Sequence, residues 1–151
     1  MLASSSETYD GVIKIWDIKT GRLRFTFNSS NGGHSEGVTS LVLIDKHLLA
    51  SASLDFKVKI WNLFTGSLKF SFESINGGHN DVVNSLALVS NDLMASGSNE
   101  IKIWDITNGV LKHTLNETNG GHLESVQVLT KLSENRLASG SLDSIRIWSI
   151  F

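Results

Sequence analysis

Two short motifs recur along the 151-residue chain at nearly constant spacing. One motif ends in a tryptophan, and successive tryptophans are 45, 43 and 44 residues apart. The other is a Gly-Gly-His triplet, whose histidines are 45 and 43 residues apart. The positions are Trp16, Trp61, Trp104 and Trp148 for the first motif and His34, His79 and His122 for the second. Two independent motifs with one period indicate a repeat protein, in which equivalent units stack on one another.

Each period divides into short segments that alternate apolar and polar residues, as half-buried strands do. In the second repeat these segments are Val38–Leu43, Leu48–Ser53, Lys57–Trp61 and Ser67–Phe72. The connections carry turn-forming pairs such as Thr65-Gly66, and no segment shows a sustained helical period. We therefore predict an all-β chain of about fourteen strands without a substantial helix.

Composition excludes several classes of protein. The chain has 13 Lys and Arg against 15 Asp and Glu, so its charge of −2 gives no electrostatic reason to expect a nucleic acid partner. It contains no cysteine, which excludes disulfides, Cys-based zinc sites and Cys nucleophiles. Residues 1–11 lack the features of a secretory signal, and no apolar run is long enough to cross a bilayer. We predict no membrane partner and a cytoplasmic location, with the nucleus as the alternative.

The arrangement of the motifs resembles the WD-repeat family of β-propellers. In that family a Gly-His pair precedes the first strand of a repeat and a Trp-Asp pair ends the third. The matching pairs are Gly33-His34, Gly78-His79 and Gly121-His122, with Trp16-Asp17, Trp61-Asn62, Trp104-Asp105 and Trp148-Ser149. The resemblance covers essentially the whole chain and implies one propeller segment over residues 1–151. Its repeats would span approximately 1–34, 35–79, 80–122 and 123–151.

The resemblance further implies a hydrogen-bonded tetrad in each blade, made of a loop His, a strand Ser, a turn Asp and the Trp. In the second repeat the tetrad would be His34, Ser51, Asp55 and Trp61, with Ser53 as a substitute for Ser51. Members in the other repeats would be Asp10, Trp16, His79, Ser96, Trp104, His122, Ser139, Asp143 and Trp148.

The third repeat departs from this pattern, because only Asn99 and Glu100 stand where the turn Asp belongs. We therefore predict that its tetrad is incomplete. A buried His79 without an acceptor would make this blade the weakest, by about 1–3 kcal/mol.

By the same resemblance, partner-binding positions lie on the face that carries the loop His and the turn Asp. They are the residue before each turn Asp and two positions at the start of the innermost strand. The candidates are Tyr9, Leu54, Leu142, Gly37, Val82, Ser125, Thr39, Asn84 and Gln127. Apolar side chains at the first three positions favour an adhesive surface for a partner, the alternative being contact with neighbouring loops.

Basic residues occupy one equivalent strand position in every repeat, namely Lys14, Lys59, Lys102 and Arg146. We predict that these side chains are solvated or lie along the strand surface with their charges in water. Contact with an acidic peptide is the alternative.

The sequence offers no support for catalysis. Ser, His and Asp recur together, but a catalytic triad is normally unique and no G-x-S-x-G segment is present. The glycine-rich loops match no nucleotide-binding motif, and the family places the histidines in separate blades, so we predict no cofactor or metal. We predict a non-catalytic scaffold that presents blade-top loops to a protein or peptide partner. One alternative is a self-associating architectural module, and another is a propeller with a ligand or catalytic site in its central channel.

The number of strands predicts an incomplete propeller of about four four-stranded blades. The first repeat lacks its first strand and the last repeat lacks its fourth, so the first and last blades are truncated. Propellers usually have four to eight blades. Three interpretations remain open: the chain is part of a longer protein, two copies form a homodimer that closes a ring of about eight blades, or the chain is an open or four-bladed form.

Overall fold

The computed structural model describes residues 1–6 and 10–150, and this part of the chain is built from strands and three single-turn 3-10 helices. The strands are β1 (Leu2–Ser5), β2 (Ile13–Asp17), β3 (Arg22–Phe27), β4 (Val38–Leu43), β5 (Leu48–Ser53), β6 (Val58–Asn62), β7 (Ser67–Phe72), β8 (Ser85–Leu88), β9 (Leu93–Gly97), β10 (Ile101–Asp105), β11 (Val110–Leu115), β12 (Val126–Ser133), β13 (Arg136–Ser141) and β14 (Ile145–Ser149). The 3-10 helices are Ser29–Asn31, Ser74–Asn76 and Glu117–Asn119. The predicted all-β architecture is confirmed, and no helix in the described ranges is long and apolar enough to span a membrane.

The strands form four antiparallel sheets that follow one another along the chain. Blade 1 is β1–β3, blade 2 is β4–β7, blade 3 is β8–β11 and blade 4 is β12–β14. Every strand pairs with its neighbour in sequence, so each blade is a simple meander. The sheets do not close into a ring, and the outer blades have three strands each, as expected for an incomplete propeller. The approximate repeat boundaries expected from the sequence stay a prediction.

Each blade has two different apolar faces. The rear face carries two aliphatic residues from the strand that holds the tryptophan, for example Ile13 and Ile15 in blade 1. The front face carries the tryptophan itself and the aliphatic residue paired with it across the sheet, for example Trp61 and Leu49 in blade 2. The side chains alternate between the faces because successive residues of a strand point in opposite directions.

The core consists of three clusters, each made where the rear face of one blade meets the front face of the next. An aromatic stack lies in the first two clusters. Phe27 of blade 1 stacks on Trp61 of blade 2, and Phe72 of blade 2 stacks on Trp104 of blade 3, both with ring centroids 4.3 Å apart. In the third cluster Leu115 takes the place of the phenylalanine beside Trp148. The same packing unit is thus used three times.

The Gly-Gly-His triplets begin with a glycine that backbone geometry requires. Gly32 ends a 3-10 helix with φ of 84°, in the left-handed region that favours glycine. A Cβ atom on the next residue, Gly33, would lie 2.3 Å from the backbone of Asn28. The triplet therefore allows a sharp turn that leads each chain segment from an outer strand to the histidine beside the next blade.

Candidate interaction face

A chain of hydrogen bonds ties the loop before blade 2 to the middle of its sheet. The Trp61 indole Nε1 donates to Ser51 Oγ at 2.9 Å, and Ser51 Oγ lies 2.7 Å from His34 Nε2. Because an indole nitrogen only donates, the serine proton is directed to His34 Nε2 and the imidazole proton is left on Nδ1. His34 Nδ1 lies 2.9 Å from Asp55 Oδ2, so the chain ends on a carboxylate.

Asp55 also fixes the backbone of two loops. Its carboxylate accepts hydrogen bonds from the backbone nitrogens of Ser35 and Lys57, both at 3.1 Å. Burial opposes ionisation of the carboxyl, but the hydrogen bond and charge attraction from His34, together with these backbone bonds, lower the pKa of Asp55. Ser53, the substitute considered above, donates instead to the backbone carbonyl of Glu36 at 3.0 Å.

Blade 4 repeats this arrangement. Ser139 Oγ accepts from Trp148 Nε1 at 2.8 Å and lies 2.7 Å from His122 Nε2. His122 Nδ1 lies 2.6 Å from the Asp143 carboxylate, which also accepts from the backbone nitrogen of Leu123 at 3.1 Å. Burial opposes ionisation of Asp143, but these hydrogen bonds hold its pKa well below the usual range.

Blade 1 has a shorter network. Trp16 Nε1 donates to Ser4 Oγ at 3.0 Å, whereas within residues 1–6 and 10–150 Asp10 accepts only a long bond of 3.4 Å, from the backbone nitrogen of Val12. Asp10 therefore does not join Trp16 in a tetrad. Ser4 was not among the residues predicted from the sequence, although the Leu-Ala-Ser triplet at 2–4 matches the triplet at 49–51 and identifies it.

In blade 3 the network is incomplete. Trp104 and His79 both bond to Ser96, at 2.8 and 2.6 Å, but His79 Nδ1 is buried and has no hydrogen-bond partner among the described residues. Glu100 follows Ser96 by four residues, as Asp55 follows Ser51, yet its carboxylate pairs with Lys102 at 2.7 Å. Burial, with a smaller contribution from the nearby Lys102, lowers the pKa of His79 to about 3, so its imidazole is neutral at pH 7.

The orphaned His79 predicts an acid-sensitive stability. Unfolded histidine titrates near pH 6.5 and folded His79 near 3, so protons bind preferentially to the unfolded chain between these values. Stability should be unaffected above about pH 6.5 and should fall below it, by at most about 1.4 kcal/mol per pH unit from this group. Urea unfolding at pH 7 and pH 5 measures the loss, and His79→Gln should reduce it. An equal loss in both proteins would contradict the assignment.

The structure places the predicted partner-binding positions in different environments. Leu142 is 86% exposed, and Gln127 is exposed as well. Gly37 is buried, and its carbonyl accepts from the backbone nitrogen of Leu54, so it is not available to a partner. Half-buried positions are Leu54, Val82, Ser125, Thr39 and Asn84. Tyr9 lies outside the described residues.

Two of these half-buried positions join neighbouring blades. Thr39 Oγ1 donates to the carbonyl of Val83 in blade 3, and Asn84 Nδ2 donates to the carbonyl of Val126 in blade 4 at 3.0 Å. Gln127, at the equivalent position of blade 4, bonds only to Ser125 of its own blade. The Thr39 and Asn84 side chains therefore connect neighbouring blades through hydrogen bonds.

Two exposed apolar residues on this face were not predicted from the sequence. Leu123 is 67% exposed directly after the tetrad residue His122, and Phe56 is exposed directly after Asp55. Both residues could have been found from the sequence, because each directly follows the His or the Asp of a tetrad. Leu123 and Leu142 flank the same Asp143 network, which brings them to one end of blade 4.

The basic strand residues differ from the predicted solvated set. Lys59 is buried, and its Nζ donates to the carbonyls of Gly32 and Gly33, both at 2.7 Å. Arg146 donates to the carbonyl of Gly120, the equivalent loop position before blade 4. Lys102 is buried against Glu100, and only Lys14 is exposed. The Lys59 and Arg146 side chains reach the loop before their own blade, where backbone carbonyls take the place of water.

Fold and networks together define an incomplete β-propeller whose blades are tied by His-Ser-Trp hydrogen bonds. A sequence model described as "WD domain, G-beta repeat" matches residues 21–62. No curated protein matches the chain. Among solved structures, the computationally designed Ika4 protein is 32% identical, with a TM-score of 0.81 over 99% of this chain and 86% of Ika4. One WD repeat is therefore recognised directly in the sequence, and the fold is that of a WD-repeat propeller.

Two further similar structures are those of U3-55K and of the RRP9 WD40 repeats. Each is 26% identical over 98% of this chain, with TM-scores of 0.81 and 0.83. The chain spans 45% of the U3-55K chain and 44% of the RRP9 chain, so it corresponds to less than half of either. WD-repeat proteins are generally non-catalytic scaffolds.

Proposed function

We propose that the chain is a non-catalytic platform that binds a protein or peptide partner through its top face, in the cytoplasm or the nucleus. The top face is the blade end that carries the loop histidines and the turn at each tetrad Asp. The observation that carries this proposal is the pair of exposed leucines, Leu123 and Leu142, beside the hydrogen-bonded network of blade 4. An apolar anchor that is already ordered binds at a lower entropic cost than a mobile one.

The polar residues near the inner strands favour a binding platform rather than an enzyme with its site in the central channel. Such an enzyme needs polar side chains that are free to meet a substrate. Thr39 and Asn84 are instead engaged in bonds between blades. Within residues 1–6 and 10–150, no group of three or more histidine or acidic side chains could hold a metal ion.

The proposal predicts that the double variant Leu123→Ser/Leu142→Ser loses its partner. Both side chains project into solvent, so the substitutions should leave the fold intact while removing the apolar anchor. Affinity capture from cells, quantified by mass spectrometry, should show at least about a tenfold loss of partners that bind the wild type.

A matched control is Phe64→Ser, which removes a side chain that is 74% exposed in the β6–β7 turn at the opposite end of blade 2. This variant should retain the partners of the wild type. Capture that is unchanged in the double variant, or that depends on Phe64 instead, would contradict a binding role for the top face.

A further inference from the structure

Blades 2 and 4 each hold one carboxylate between two N–H groups of consecutive residues. One donor is Nδ1 of the loop histidine, at 2.9 Å in blade 2 and 2.6 Å in blade 4, and the other is the backbone nitrogen of the next residue, at 3.1 Å in both blades. Hydrogen bonds to an ionised acceptor are stronger than those between neutral groups, so this pair of donors forms a carboxylate site. The donor pairs are His34 and Ser35 for Asp55, and His122 and Leu123 for Asp143.

Blade 3 has the same two donors, but neither has an acceptor among the described residues. Trp104 donates to Ser96, which directs the serine proton to His79 Nε2 and leaves the imidazole proton on Nδ1. His79 is 2% exposed, and within residues 1–6 and 10–150 its Nδ1 has no hydrogen-bond partner. The backbone nitrogen of Asn80 donates to no acceptor in the same ranges. A buried donor without an acceptor is unfavourable, and a ligand that supplies an acceptor relieves this penalty.

The acid of blade 3 that corresponds to Asp55 is held away from His79. The turn of blade 3 is shorter, since eight residues separate its network serine from its tryptophan, against ten in blade 2. This turn is closed by a hydrogen bond from the backbone nitrogen of Ser98 to the carbonyl of Glu100, at 3.0 Å. The Glu100 carboxylate pairs with Lys102 Nζ at 2.7 Å. Glu100 therefore does not supply the acceptor that His79 lacks.

The shorter turn borders a cavity of about 230 Å³ on the top face. This volume is below the roughly 300–1,000 Å³ of pockets that hold drug-sized ligands, so the cavity suits a single functional group. Asn80 is exposed, and a ligand can therefore reach the two donors from solvent. The residues that line the cavity are His79, Asn80, Asp81, Ser98, Asn99 and Glu100.

The charges around the cavity are compatible with a carboxylate. Burial, with a smaller contribution from Lys102, lowers the pKa of His79 to about 3, so the positive charge of Lys102 acts on this site. The same Lys102 balances the charge of Glu100, and the Asp81 carboxylate already accepts from Asn99 Nδ2 at 2.8 Å. Blades 2 and 4 also have an acid at the position of Asp81, yet the pKa of their tetrad carboxylate is lowered. These acids are Glu36 and Glu124.

We propose that this cavity binds a carboxylate group, which accepts hydrogen bonds from His79 Nδ1 and from the backbone nitrogen of Asn80 as Asp55 accepts them in blade 2. A carboxylate from another molecule thereby completes the network that blade 3 leaves incomplete. The ligand is an acidic side chain of a polypeptide or a small carboxylate anion, which share this chemistry. The site lies on the top face but does not depend on Leu123 and Leu142, so it goes beyond the function proposed above.

Titration of the intact chain with sodium acetate tests the site. At pH 7 and constant ionic strength, acetate should shift the backbone amide resonance of Asn80 and the ring resonances of His79 in a saturable manner, as followed by heteronuclear NMR. The amides of Ser35 and Leu123 already donate to aspartates, so they are internal controls and should not shift. Acetamide has nearly the same shape without the charge and should bind at least about tenfold more weakly.

Three variants change the site in defined ways. Glu100→Gln removes a negative charge from the cavity wall and should tighten acetate binding by at least about threefold. His79→Phe keeps a buried ring without the Nδ1 donor and should abolish the saturable shift at Asn80. Asp55→Ala frees the equivalent donors of blade 2, so in this variant alone acetate should also shift the amide of Ser35. Circular dichroism should show native strand content in each variant.

A second probe separates the two sources of the carboxylate. A capped glycine peptide with one central aspartate presents the group as a side chain, and the peptide with asparagine in its place is the neutral control. Tighter binding of the aspartate peptide than of acetate supports the site and assigns it to acidic polypeptides, whereas tighter binding of acetate assigns it to small anions. The absence of a saturable shift at Asn80 with both probes, or equal binding of acetate and acetamide, would overturn the proposal even if His79→Phe does not fold.

Discussion

Replacing Trp61 with alanine should lower the free energy of unfolding by about 3–5 kcal/mol, the range for removal of a large buried aromatic. Trp61 is fully buried between blades 1 and 2, stacks on Phe27 at 4.3 Å and donates to Ser51. Its loss leaves a cavity at the blade interface and removes the only donor of that hydrogen bond. Urea unfolding followed by circular dichroism measures the change.

Trp16→Ala is the matched control. Trp16 makes the equivalent hydrogen bond, to Ser4, but it is only half-buried because no blade covers the front face of blade 1. Its loss should cost at least about 1 kcal/mol less than the loss of Trp61. Equal costs would show that stacking between blades contributes little.

Asp55→Ala should lower the free energy of unfolding by about 2–3 kcal/mol at pH 7. The change removes the acceptor for His34 Nδ1 and for the backbone nitrogen of Ser35, and it leaves the buried imidazole without a partner. Thermal and urea unfolding provide the measurement. The matched control is Asp10→Ala, which removes the equivalent turn carboxylate. The described residues give Asp10 no histidine partner, so this change should alter stability by less than about 0.5 kcal/mol.

The Asp55 contribution should also depend on pH. The folded pKa lies below the ordinary value of 3.8, so the folded chain releases this proton more readily than the unfolded chain does. The stabilisation is therefore complete above about pH 4 to 5 and is lost as the pH falls through the folded pKa. The stability difference between wild type and Asp55→Ala should shrink in acid. A difference that is constant with pH would contradict a role for the ionised carboxylate.

Local patterns were sufficient to predict the blades because strand, turn and repeat are properties of neighbouring residues. Three of the four strands predicted in the second repeat have the observed bounds, and the third is displaced by one residue at both ends, to Val58–Asn62. The incomplete tetrad of blade 3 was also visible in the sequence, since Glu100 and Asn99 stand where a turn Asp was expected. The position of a residue within the repeat indicated which strand or turn it would occupy.

The environment of each side chain depended on what packs against it, which no local pattern encodes. Gly37 and Leu142 were equally good candidates for the interaction face, but Gly37 is buried and Leu142 is not. Lys59 was expected in water and instead bonds to two loop carbonyls. In each case a neighbouring loop or blade decided the outcome.

By itself the sequence determined the repeat, the all-β architecture and the absence of a turn Asp in blade 3. Those properties follow from residue type and spacing along a single segment. Only the tertiary structure decided which apolar faces are covered, since the same Ile pair is buried at 101 and 103 and exposed at 145 and 147. Burial is a property of two surfaces in contact, and the chain supplies a neighbour for one pair and leaves the other exposed.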